Sequence, residues 1–153
     1  MCRFPGPFDP AYVKHACVVA IGRVETYAIV RDQAARDRLL GEPGLTEEMR
    51  APYADANKTL GFDHARLDIR IEEVLLGEAP PLLAAEWQNS TFALPTTMSR
   101  APLLIAAIAV PGSPASATPR LRILQQPCRP AFLLPVAGDD ARAVRAVLAG
   151  RGG

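Results

Sequence analysis

Leu67–Trp87 reads LDIRIEEVLLGEAPPLLAAEW. Leu67, Ile69 and Ile71 alternate with Asp68, Arg70 and Glu72, the period of two that sends one face into a core and the other to water. The alternation slips at Glu73, where Val74, Leu75 and Leu76 run together before Gly77. Such a slip predicts a bulge, or the sharp bend of a strand turning a barrel corner. Pro80 and Pro81 then force an extended connection, and Leu83, Ala85 and Trp87 restart the alternation in a second strand. The bent unit predicts a core containing Ile69, Ile71 and Trp87, joined by Val24 and Ile105 from strands on either side.

Upstream, Asp9–His15 reads as a turn or helical entry, and His15–Tyr27 (HACVVAIGRVETY) as a long strand. Gly22 in its middle permits the kink or bulge that a small barrel requires. Residues 31–63 break the β pattern. There RDQAARDRLLGEPG is helix-competent through Leu40 and stops at Gly41 and Pro43, and Thr46 caps a second turn, TEEMR, that ends before Pro52. This polar, partly helical insertion is expected to lie outside the barrel, with Asp63 and His64 forming a solvated turn. Downstream, Asn89–Arg100 is a loop, and Ala101–Val110 is a strand so continuously apolar that both faces should be covered. PGSPASATP is a further loop, and Leu121–Leu124 and Ala131–Val136 are short strands. Asp139 and Asp140 open a terminal helix over 139–150, with Ala141, Val144, Val147 and Leu148 on one face and Gly150 at its end.

The 153 residues suffice for one domain with its own core. A formal net charge of +1 creates no global field toward nucleic acid or an anionic membrane. The 17 basic and 16 acidic residues are unevenly spread: 10 and 14 precede Arg100, and 7 and 2 follow from it. Those late arginines read first as the solvated face of strands and one helix. Within them, Arg120 and Arg122 share a strand face and are candidates for a protein-binding rim. No stretch approaches the ~20 apolar residues needed to span a bilayer. The N-terminus carries no secretory signal, which fits either a cytosolic protein or an exported one whose signal is absent before Met1.

Cys2, Cys17 and Cys128 show no CxxC spacing, so neither a zinc site nor another metal or cofactor is expected. Cys17 reads as a small core residue, with a thiolate–imidazole pair with His15 as the alternative, since two residues apart on a strand share a face. Cys2 and Cys128 either pair, which implies an oxidising compartment, or remain thiols in a cytosolic protein. Glu72-Glu73 and Asp139-Asp140 are paired in sequence alone, and the chain has no GxGxxG, phosphate loop or GxSxG. Asn89-Ser90-Thr91 fits a glycosylation acceptor, but the Ala/Arg/Pro-heavy composition is that of a GC-rich bacterial genome. One Trp, three Tyr and five Phe offer no paired aromatic platform on a strand face, against nucleic-acid binding.

The order of these pieces resembles the OB-fold modules of the netrin-like and metalloproteinase-inhibitor-like type. Gly22-Arg23-Val24 matches the Gly-x-Val closing their first strand, and Ile71–Gly77 (IEEVLLG) matches their V-x-x-V-x-K-G ending. Leu103–Ala107 stands for their later apolar strand and Cys128 for their closing cysteine, so the resemblance covers most of Ala16–Cys128. The usual middle Cys-Gly is absent, with Ala93–Arg100 in its place, and the insertion is long. Met1 precedes Cys2, which removes the zinc-binding N-terminal cysteine of the inhibitors unless processing exposes it. The resemblance implies a mostly β (α+β) fold, a small OB-like Greek-key barrel over 1–153 with a helical insertion and a C-terminal helix. It further implies a Cys2–Cys128 disulfide pinning the N-terminal segment across the barrel. The expected function is a non-catalytic binding module, exported to the periplasm or beyond, for a protein partner. A Cys17/His15 enzyme and an intracellular immunity or scaffold protein are the alternatives.

Overall fold

The computed structural model describes residues 4–56, 58–89, 94–111 and 120–151. Cys2, the Ser90–Ala93 part of the first predicted loop and 112–119 of the second lie outside them. The chain begins with a 3-10 turn, Pro10–His15, whose Asp9 cap accepts the Ala11 N–H at 3.1 Å. Strand β1 is Val18–Val30, followed by helices α1 (Gln33–Leu40) and α2 (Glu47–Ala54). Strands β2 (His64–Leu76), β3 (Leu82–Gln88), β4 (Leu103–Ala109), β5 (Leu121–Ile123) and β6 (Leu133–Pro135) precede helix α3 (Asp139–Arg151). The strand order is β1-β2-β3-β5-β4-β6, and β4 also pairs with β1. Five strands therefore close a barrel, with β6 added on β4. The β3–β5 pair is parallel and the others antiparallel. This is the small OB-like Greek-key barrel expected from the sequence.

The slip at Glu73 is a double bulge. Register shifts between Val19/Ala20 and Ile21/Gly22 leave Leu75 and Glu72 unopposed on β2, and a third shift leaves Glu25 unopposed on β1. β2 thereby bends along its length without ending before Leu76. Gly22 sits at the closest approach: a Cβ there would meet the Arg70 carbonyl oxygen at 2.6 Å and Ile69 Cγ2 at 2.8 Å. Gly77 ends β2 at φ +73°, and a Cβ there would lie 2.2 Å from the Cys17 carbonyl oxygen. Glycine is the residue that admits both this turn and this approach.

Two cores flank one sheet. The barrel interior holds Val24, Leu67, Ile69, Leu83, Leu103, Ile105 and Ile123. The second core lies against α3 and the 3-10 turn, built from Val13, Val19, Ile21, Leu104, Phe132 and Val144. β4 supplies alternate residues to each, which is why its sequence is apolar without a break. Of the expected core, Val24, Ile69 and Ile105 are fully buried, whereas Ile71 and Trp87 are half-buried. The reason is the length of the β2–β3 ladder, which runs from His64↔Gln88 to Arg70↔Leu82. Ile71 lies just past one end and Trp87 next to the other.

Several local expectations need correction. β1 starts at Val18, because the Asp9-capped turn winds Pro10–His15, and Cys17 is exposed at the junction. α2 continues through Pro52 to Ala54, with the Thr46 cap accepting the Met49 N–H at 3.2 Å. Most important, Asp63 is no solvated turn. It is fully buried and grips the inserted segment.

Candidate functional site

The insertion is fastened by one carboxylate. Asp63 Oδ1 accepts Arg36 Nη1 at 2.8 Å and the Asp32 N–H at 2.9 Å; Oδ2 accepts Arg36 Nη2 at 2.5 Å and the Leu60 N–H at 2.7 Å. Burial alone would push the carboxyl upward, but the bonds from Arg36, Leu60 and Asp32 outweigh it and hold the pKa at about 2. The same hydrogen bond raises Arg36 against its own burial. Residues 31–63 are therefore docked at their two ends. Next to this junction, Asn89 Nδ2 donates to the Leu60 carbonyl at 2.7 Å, so the nitrogen of the possible glycosylation acceptor is already engaged.

A second carboxylate marks the β3–β5 seam. Glu86 pairs with Arg122 across the parallel ladder and is 7% exposed although its side chain points away from the barrel interior. Arg120 closes over it, Nη2 to Oε2 at 2.5 Å, and Arg122 reaches Oε1 from Nη2 at 3.2 Å and from Nε at 3.4 Å. Burial opposes the charge of Glu86, yet the two arginines hold its carboxyl below the usual carboxylate range. Thus Arg120 and Arg122 come together as the sequence implied, but on Glu86. Two guanidinium groups share one carboxylate, leaving one net positive charge.

Beyond the two-residue ladder β3 and β5 separate, and a cleft of about 250 Å³ opens between them. Trp87, Ile108, Ile123 and Pro127 form its apolar wall; Gln88, Arg122, Gln125 and Gln126 are polar, and Cys128 lies at its edge. The Trp87 indole N–H donates to Gln125 Oε1 at 3.0 Å, and Gln125 Nε2 donates to the Arg129 carbonyl at 2.9 Å. Gln126 Oε1 is buried and accepts no hydrogen bond among the described residues. The floor is a turn, with the Arg129 N–H bonded to the Gln126 carbonyl at 3.1 Å and Cys128 at φ +65°. Pro127 supplies the first central residue of such a turn, and Cys128 occupies the position usually left to glycine. The Gly6 N–H donates to the Cys128 carbonyl at 2.8 Å, and Arg129 Nη1 to the Pro7 carbonyl at 2.8 Å.

A smaller cleft of about 190 Å³ lies between Val24, Tyr27, Met98 and Arg100, with the Tyr27 hydroxyl donating to the Pro95 carbonyl at 2.7 Å. Burial raises the Tyr27 phenol above its usual value.

The alternative of a His15–Cys17 pair on one strand face does not arise from a strand, and the expected core place of Cys17 is replaced by an exposed one. Both residues precede β1, and the His15 ring lies against Tyr12 with centroids 4.6 Å apart. Cys2 lies outside the described residues, so the expected bridge to Cys128 has one described end. Among the described residues no three His, Cys, Asp or Glu side chains are grouped to hold a metal, and no helix is long and apolar enough to cross a membrane. Reading the sequence singled out Arg120 and Arg122 for a rim and Cys128 for a bridge, and did not single out Glu86, Gln125 or Gln126. Glu86 follows an inward Ala85 and looks like ordinary surface; the parallel neighbour that buries it is invisible locally. No protein-family model matches the chain, and no curated protein matches it significantly.

Proposed function

We propose that the protein is a non-catalytic binding module of OB type that takes a segment of another protein in the β3–β5 cleft. The observation that carries this reading is the wall itself, an indole and three aliphatic side chains interleaved with amides and a guanidinium. Such a lining suits an extended peptide, whose main chain presents donors and acceptors between side chains. The volume lies below the roughly 300–1,000 Å³ of drug-sized ligand sites, and fits one or two side chains. Trp87 is the only tryptophan in the chain, so its emission reports on this cleft. Titration with a mixed pool of tryptophan-free decapeptides should shift the emission saturably; an unmoved spectrum at millimolar peptide would refute the module.

The rival reading, chemistry by Cys17 with His15, has the exposure of Cys17 in its favour. Alkylating Cys17 should leave peptide binding intact if the cleft is the functional site. Export and the netrin-like relationship form part of the same proposal. The bonds from Gly6 and Arg129 support them, because they hold the N-terminal lead against the loop of Cys128. The four residues from Gly6 back to Cys2 span at most ~14 Å, ample for a bridge. Mass analysis without reductant should then show two hydrogens missing and one reactive thiol, Cys17. Three reactive thiols would remove the support for an oxidising compartment.

A further inference from the structure

The geometry points to a carboxylate on the bound segment, seated on Arg122 in the β3–β5 cleft; this deepens, and rests on, the peptide-binding reading above. Three observations converge. First, the charge at the seam is unbalanced, with Arg120 and Arg122 sharing the single carboxylate of Glu86. Second, the two arginines are not equivalent. Arg120 holds Glu86 at 2.5 Å and does not line the cleft, whereas Arg122 lines it and reaches Glu86 only at 3.2 and 3.4 Å. The inner guanidinium is thus loosely held and available to a second acceptor. Its planar fork of donors matches a carboxylate in two parallel bonds. Third, Gln126 lines the same cleft, and its Oε1 is buried without a donor among the described residues. A buried acceptor left in this state is costly, and rotation of the Gln126 side chain into the cleft would let a ligand N–H satisfy it. One cation and one unsatisfied acceptor residue lining the same cleft ask for an anion and an amide N–H together, the pairing that an acidic residue within a peptide presents.

The mechanism follows from competition. A carboxylate entering the cleft takes the Arg122 fork, and Glu86 remains neutralised by Arg120 alone. Glu86 therefore acts as an internal rival for Arg122, and weakening that rival should strengthen binding.

The test uses Trp87 emission with two tryptophan-free decapeptides, one alternating Asp with Leu and one alternating Asn with Leu. The acidic peptide should bind at least about fivefold more tightly, the margin of a charge-assisted over a neutral hydrogen bond. Arg122→Gln should bring the ratio close to one. Glu86→Gln, which frees Arg122, should tighten the acidic peptide several-fold and leave the neutral one unchanged. A purely structural role for the Glu86 cluster would weaken both. If Glu86→Gln fails to fold, Arg120→Gln serves instead: Arg122 is then drawn back to Glu86, and the acidic peptide alone should weaken. Equal binding of the two peptides by the unaltered protein overturns the carboxylate inference and leaves the module reading standing. Failure of both peptides alongside the mixed pool overturns the module itself. Binding of a ten-nucleotide thymidine strand at the cleft in preference to the acidic peptide would show that the cation serves phosphate, and overturns the inference.

Discussion

Replacing Asp63 with Asn should cost about 3–5 kcal/mol, because it removes the counter-charge of a buried arginine. Arg36 is 3% exposed and has little in reserve. Its Nη2 also donates to the Lys58 carbonyl at 3.1 Å, and its guanidinium lies 5.3 Å from the centre of the Phe62 ring. Its Nε, however, is buried without a partner among the described residues. The amide of Asn offers one acceptor oxygen where the carboxylate offers two, and its NH₂ group would face donors. At least one of Arg36 Nη2, Arg36 Nη1, Asp32 N and Leu60 N then goes unpaired. For a domain whose total stability is of the order of 5–15 kcal/mol, the variant should fold yet unfold at much lower urea.

The double variant Arg36→Met/Asp63→Leu separates charge from architecture. Exchanging a buried ion pair for apolar residues is often neutral. Here the Asp32 and Leu60 amides also depend on the carboxylate, so the double variant should stay about 1–3 kcal/mol below the wild type. Linkage gives an independent check. The folded pKa of about 2 lies below the ordinary carboxylate value, so the stabilisation is complete above about pH 4 and is lost as pH falls through about 2. That window is worth about 2–3 kcal/mol. A loss below about 1 kcal/mol for Asp63→Asn, or a double variant as stable as the wild type, would refute the reasoning.

Ile69→Ala should cost ~2–5 kcal/mol as a cavity in the barrel, and Ile71→Ala clearly less, since Ile71 is half-buried; equal losses in urea unfolding would contradict the ladder boundaries described above. Gly77→Ala should destabilise by at least about 2 kcal/mol, combining a left-handed backbone with a clash on the Cys17 carbonyl; an unchanged urea midpoint would rule out this turn. Cys17 should react with a thiol reagent under native conditions as fast as a model thiol to within about tenfold, and protection until unfolding would contradict its exposure.

What was legible in the sequence was what depends on period and punctuation. Leu67, Ile69 and Leu83 announce their faces by alternation, β4 announces two-sided burial by lacking it, and the run Val74–Leu76 before Gly77 announces the bulge. Cys17 was misread because its apolar neighbours belong to a strand that starts one residue later, and what delays the strand is the Asp9 cap eight residues upstream. Asp63 was misread for a different reason. A carboxylate before a strand is usually surface, and the donors that make its burial tolerable come from Asp32, Arg36 and Leu60. Nothing local distinguishes such a residue from a solvated one; only the fold supplies its partners.

The cleft has the same origin, which explains why its chemistry lay beyond a linear reading. A five-stranded barrel of this order must close β3 on β5 in parallel, and here the closure lasts for two residue pairs, Ala85↔Leu121 and Glu86↔Arg122. The strands diverge beyond Glu86, and the barrel wall is completed by side chains instead of main-chain bonds. Trp87 bridges to Gln125 across the gap, and Gln125 passes the link to the Arg129 carbonyl. The seam is thus the place where main-chain pairing stops while the polar groups on both sides persist. It carries the excess charge of Arg120 and Arg122 over Glu86, and Gln126, whose buried Oε1 has no donor among the described residues. A barrel sealed by a longer β3–β5 ladder would have no such vacancy. The proposed binding capacity thus rests on incomplete closure, and the proposed chemical preference on the side chains that line the opening.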